Sequence, residues 1–323
     1  MGRILAFLLG LAGLGSAALA ASPEEAYRAA HDRVDTEFDG GDYESFAPSP
    51  ALKAFWDSVD AVLAAEGAAG LSALAETGPL VDVMTMKVTD DATLVAVNWD
   101  QFGHLALLDH GALRWSSGNL CLLARPCAVT HFAALPPAAD GAARFYVEAA
   151  YAQAAGATRG NQLSLWRWKD GEMEAFSRTD FATGGDAPQG VALAGDKLEI
   201  TGKGFWSHFM VCGACDGRQE QHLLRVTPTG VVDLGMITLT PELDALDALL
   251  GRLADNSPTD DIAAPEAAAL LKKSWHGNLF FMDPEVADNT TCIAPADLPP
   301  LTFHFAAGPK AMRITAIEPG HCG

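Results

Sequence analysis

Three stretches of the chain follow one plan: GHLALLDHGALRW (residues 103–115), QLSLWRWKDGEMEAF (162–176) and QHLLRVTPTGVVDL (221–234). In each, an alternating apolar strand runs to a turn and a second strand leaves it. The turn glycines Gly111, Gly171 and Gly230 stand about sixty residues apart, and a fixed period is the sequence mark of stacked supersecondary units. A further strand pair precedes each hairpin, at residues 83–99, 129–151 and 191–205. These pairs turn at Asp90-Asp91, Asp140-Gly141 and Gly195-Asp196.

Four short strands per unit is the arrangement of a propeller blade, but closed propellers use about four or more blades. Three units therefore leave two architectures open. One is an incomplete or atypical β-propeller, in which the C-terminal strand pair around residues 301–305 and 311–317 supplies an atypical fourth sheet. The other is a curved sheet or sandwich covered by helices. Either way the predicted fold is mainly β with flanking helices, and the β-repeat domain covers residues 80–240.

Outside the repeats the apolar period changes to that of a helix. Residues 23–34 and 50–74 carry it, as in Phe55, Val59, Val62 and Leu63, with Ser49 and Pro50 as cap and first-turn residue. The link Asp39-Gly40-Gly41-Asp42 divides the two, so residues 21–79 read as a helical N-terminal segment. Pro241 and Pro265 open two more helices, over residues 241–253 and 265–273. Residues 241–323 thus form a mixed helical and β C-terminal segment.

The first twenty residues carry a targeting pattern: Arg3, an apolar run over residues 4–14, then Ala18-Leu19-Ala20 as a small-x-small cleavage site. This predicts a signal peptide over residues 1–20 and a periplasmic or secreted protein. No cysteine at the cleavage site offers a lipid anchor, and no later segment reads as apolar enough to span a bilayer. Stable membrane insertion after processing is therefore not expected. The balance of 21 Lys+Arg against 41 Asp+Glu gives a net charge of −20, which repels phosphate backbones and excludes nucleic acid as an expected partner.

Export favours disulfides over free thiols. The six cysteines fall into three close pairs, Cys121 with Cys127, Cys212 with Cys215, and Cys292 with Cys322, and this sequential pairing is the one expected. Cys212-Gly213-Ala214-Cys215 also has the CxxC spacing of a redox pair. In redox proteins that motif opens a helix whose field lowers a thiol pKa, whereas here a strand-like segment follows. Asp216 stands where haem attachment requires histidine, and a zinc site has only His208 and His222 nearby.

Other motifs are incomplete. Asp35, Glu37, Asp39 and Gly40 begin like a calcium loop, but Phe46 occupies the position of the bidentate glutamate. There is no HExxH and no GxSxG, and Gly202-Lys203-Gly204 lacks the remainder of a phosphate loop. No metal, cofactor or catalytic residue is assigned on these grounds. Trp166 and Trp168 share one face of a strand, and Trp206 and His208 precede the CxxC; these four are the candidate binding residues. The expected function is that of an exported, non-catalytic binding or interaction protein of a bacterial-type cell envelope, its partner an unknown protein or small molecule. The alternative is an extracytoplasmic enzyme, either a thiol-disulfide oxidoreductase using the CxxC or a hydrolase assembled from distant residues.

Overall fold

The computed structural model describes residues 21–38, 43–77, 81–120, 126–151, 159–183, 190–204, 207–208, 210–211, 218–274, 281–282, 286–293 and 299–320. Among the described residues half are in strands, and four antiparallel four-stranded sheets dominate them. In the first, β1 (Val81–Lys87), β2 (Ala92–Trp99), β3 (Phe102–Asp109) and β4 (Ala112–Ser116) lie in chain order. The second holds β5 (Cys127–Leu135), β6 (Ala143–Tyr151), β7 (Arg159–Lys169) and β8 (Glu172–Thr183), also in order. In the third, β9 (Gly190–Ala194) and β10 (Lys197–Gly204) are followed by β11 (Met210–Val211), which leaves the sheet, and then by β12 (Arg218–Thr227) and β13 (Gly230–Thr238). β11 instead pairs in parallel with β14 (Phe281–Met282). The fourth sheet is β15 (Val286–Ala287), β16 (Thr290–Ile293), β17 (Leu301–Ala307) and β18 (Met312–Pro319).

The sheets do not close into a propeller. The three quoted hairpins are β3–β4, β7–β8 and β12–β13, the third and fourth strands of their sheets, and β17–β18 holds the same place in the fourth. All four share a second feature, a bulge that leaves Arg114, Phe176, Leu234 or Thr315 unpaired on the fourth strand. A bulge adds twist to an outer strand, and its recurrence shows that the sheets repeat in detail as well as in strand order.

The turns differ. His110-Gly111 and Asp170-Gly171 have positive φ at both residues, the conformation that fits a two-residue loop to the strand twist. The third hairpin turns instead at Pro228-Thr229, and Gly230 is the first residue of β13. The expectation of a turn glycine there is corrected, because proline presets the turn without any positive φ.

Among the described residues five helices flank the sheets: α1 (Pro23–Glu37), α2 (Tyr43–Phe46), α3 (Pro50–Thr77), α4 (Pro241–Ala254) and α5 (Pro265–Ser274). Ser22 and Glu25 cap α1 reciprocally, and the Ser49 hydroxyl accepts from Leu52 N at the start of α3. α3 is broken at Gly67 (φ 68°, ψ −169°). Over residues 50–76 it is long and apolar enough, by length and composition, to cross a membrane, which corrects the expectation that no later segment is. Its Phe55, Val59, Val62 and Leu63 are buried in the core against the first sheet.

Alternation along β2 explains how that sheet is covered on both sides. Val95 and Val97 face Phe55, Val59 and Leu63 of α3, while Leu94 and Ala96 face Phe145, Val147 and Trp166 of the second sheet. The opposite face of the second sheet, with Tyr146, Leu163 and Leu165, packs on Leu198, Ile200 and Leu224 of the third. α4 and α5 cover the fourth sheet through Leu249, Leu250 and Leu271 against Phe303, Phe305 and Ile314.

Buried polar groups join the stacked sheets. Asn98 of β2 donates from Nδ2 to Val129 O and accepts from Val129 N, both at 2.8 Å, acting as a short strand against β5. Opposite it, Gly103 leaves room, since a Cβ there would lie 2.8 Å from Cys127 O. Between the second and third sheets, the buried Arg144 guanidinium donates to Pro136 O, Pro137 O and Thr227 O. Of the three carbonyls, that of Thr227 lies across the joint, while those of Pro136 and Pro137 belong to the turn after β5 in the arginine's own sheet.

Candidate functional site

Trp166 and Trp168 lie between the first and second sheets and are 8% and 7% exposed. Trp166 Nε1 donates to Ser164 Oγ at 2.8 Å, and its ring meets Trp115 edge-on at 5.4 Å. As candidate binding residues they are not open to solvent, because the even-numbered face of β7 is the one that the first sheet covers. Trp206 lies outside the described residues. His208 stands at the junction of the third sheet with α4, where its backbone N donates to Asp247 Oδ1 at 2.7 Å. Gly251 of α4 makes room for the ring, since a Cβ there would meet His208 Cε1 at 2.7 Å. Beside it Arg218 grips Asp244 through two hydrogen bonds and Glu220 through a third contact of 2.8 Å. The structure therefore separates Trp166 and Trp168 from His208 instead of gathering them.

Of the six cysteines, Cys127 at the start of β5 and Cys292 in β16 are described, and neither is a free thiol. Cys121, Cys212, Cys215 and Cys322 lie outside the described residues, so the pairings stay unassigned at this point. In the fourth sheet Cys292 is opposite Thr302, which in turn is opposite Glu318 near the end of β18.

One gathering of serine, histidine and aspartate was not identifiable from sequence. His104 of β3 is fully buried under Trp56, whose ring stacks on it at 5.0 Å. Its Nε2 lies 2.9 Å from Asp60 Oδ1 and its Nδ1 lies 2.6 Å from Gly118 O, while Ser116 Oγ donates to Asp60 Oδ2 at 2.7 Å. A serine nucleophile needs a base nitrogen at its own hydroxyl. Here the hydroxyl proton goes to the carboxylate and both ring nitrogens face other acceptors, so the set locks α3 to the first sheet. Asp60 lies 44 and 56 residues from His104 and Ser116 with no local motif, which is why only the folded chain reveals the set.

Among the remaining ionisable groups, Glu148 of β6 faces the third sheet. Burial pushes its carboxyl above the usual value of 4.5, partly offset by a hydrogen bond from Val191 N. Nearby, the Tyr146 hydroxyl lies 3.0 Å from His131 Nδ1. A cavity of about 320 Å³ opens between the end of α4 and α5, but its cations are engaged, Arg252 with Asp261 and Lys272 with Asn256. Among the described residues no group of three or more His, Cys, Asp or Glu is arranged to hold a metal.

The feature left without an internal role is β13, the outer strand of the third sheet. Val232, Leu234, Met236, Ile237 and the adjoining Leu239 are 48%, 41%, 62%, 46% and 44% exposed, and they are the large apolar side chains that stand exposed among the described residues. The single charge in the strand, Asp233, accepts from Gly235 N at 2.7 Å and pairs with His222 Nε2 at 2.9 Å. Those partners hold its carboxyl below the usual carboxylate value, the backbone N–H first. The sequence does carry a signal here, since residues 230–239 run GVVDLGMITL without lysine, arginine or proline. Read as an ordinary strand, that run gives no sign of which faces stay uncovered. The chain matches no protein-family model and no curated protein.

Proposed function

We propose that the chain is an exported, non-catalytic binding protein of a cell envelope and that β13 is its contact surface. The observation that carries this reading is that, among the described residues, the exposed large apolar side chains are confined to one outer strand and the residue that follows it. Scattered surface apolar residues are ordinary, whereas a contiguous set commonly marks an interaction site. The finer architecture belongs to the same proposal: blade-like units serve as a scaffold, stapled by Cys121–Cys127, Cys212–Cys215 and Cys292–Cys322. The geometry around His104 lends no support to a serine hydrolase at that place. The Cys212–Cys215 pair is taken as structural.

A photoreactive residue at position 236, compared with one at the exposed Glu172 in the second sheet, tests the reading in the native envelope. Crosslinks to a defined partner from position 236 and none from 172 are expected. Equal capture at both positions, or turnover in a hydrolase or thiol-exchange screen that survives Met236→Lys, overturns it.

A further inference from the structure

We propose that β13 accepts a fifth strand, an extended polypeptide segment that is apolar and carries lysine or arginine at its ends. This inference rests on β13 being the contact surface. An outer strand presents unpaired N–H and C=O groups along one side, and natural sheets protect such edges by charge, shortness or cover. The other outer strands of the four large sheets are protected. β1 and β4 lie under α3, β5 is packed against the first sheet, and β18 is covered by α4 and α5. β8 carries Glu172, Glu174, Arg178 and Asp180, while β9 has five residues and β15 two. β13 has nine residues, no lysine, arginine or proline, and one acid tied back to its own sheet. A strand addition would satisfy its outer backbone groups and cover its apolar side chains together.

Charge selects the occupant. Both arginines of β12 are engaged, Arg218 by Asp244 and Glu220 and Arg225 by Asp196. β13 itself carries no lysine or arginine, in a chain of net charge −20. A second copy would bring like net charge to the strand, whereas cationic ends on an apolar strand complement it. Surface charges of this kind act mainly on encounter and on salt dependence.

The test uses the full chain and three fluorescent peptides of about the length of β13, read by anisotropy. One alternates valine and threonine between lysine pairs, the second replaces lysine by glutamate, and the third methylates alternate backbone nitrogens of the first. The lysine peptide is expected to bind and to slow amide hydrogen exchange over residues 231–239. Binding should weaken about tenfold for the glutamate peptide and again in high salt, and about tenfold or more for the methylated peptide, which loses ladder hydrogen bonds. Met236→Lys/Ile237→Lys should abolish it with the far-ultraviolet spectrum unchanged. If the double variant loses its fold, protection of 231–239 in the parent by the lysine peptide decides the matter. Equal affinity for the methylated or glutamate peptide overturns the proposal, as does a dimer by sedimentation that the double variant dissolves. A partner crosslinked from position 236 without peptide binding would sink the strand assignment alone and leave the contact surface standing.

Discussion

His31 and Glu148 are ionisable side chains that burial shifts so as to disfavour charge, with opposite consequences for stability. His31 lies among Tyr27, Phe55 and Trp99, and burial holds its imidazole below the ordinary 6.5 despite Asp35 and Asp32. The unfolded chain therefore takes the proton first. Stability from the neutral ring is complete above 6.5 and is lost as pH falls toward the folded value. Glu148 behaves in the reverse sense: its folded value lies above 4.5, so its contribution is complete below 4.5 and is lost as pH rises through that folded value. Thermal melts from pH 4 to 8 should show His31→Phe gaining on the parent as pH falls below 6.5, and Glu148→Gln gaining as pH rises. Parallel profiles for parent and variant would refute either assignment. Tyr27, pushed by burial to about 12, stays neutral throughout that range. None of this is legible at the residue itself, since the sequence places His31 and Glu148 among ordinary amphipathic neighbours.

Elements were the most legible scale. Helical spacing and proline at the first turn predict α1, α3, α4 and α5 at their N-termini, because a proline there costs no hydrogen bond. Alternation predicts the hairpins of the first three sheets, including the turns at Asp140-Gly141 and Gly195-Asp196. Less visible was how one element meets another. Asn98 reads as one polar residue in an apolar strand, yet its amide replaces a strand partner for Val129, and Gly103 opposite it admits the backbone of β5. Asn98→Leu should cost about 3 kcal/mol, because it strands a buried donor and acceptor. Gly103→Ala should cost about 2 kcal/mol, since backbone cannot yield as a flexible side chain would. Urea unfolding measures both, and a loss within 0.5 kcal/mol of zero for Asn98→Leu would show that the joint bears no stability.

At the scale of the whole molecule, export and bridging are coupled in the proposed function. Mass spectrometry of protein from fractionated cells should find a mature N-terminus after Ala20 or Ala21, and non-reducing peptide maps should give the three sequential pairs. Under that pairing Cys292–Cys322 closes a loop near the C-terminus worth about 3 kcal/mol, lost on reduction. Full-length protein with free thiols in the cytosol would remove both. Charge and periodicity, which are sums over the chain, were determined by sequence alone: an acidic protein, mainly β, built from repeated hairpins between helices. The tertiary structure alone decided which face of each strand is covered. Alternation marks two faces without naming their neighbours, so Trp166 and Trp168 went to a joint between sheets while β13, with a similarly apolar sequence, was left at an edge. Burial depends on what packs opposite, and that is a property of contacts between residues distant in the chain.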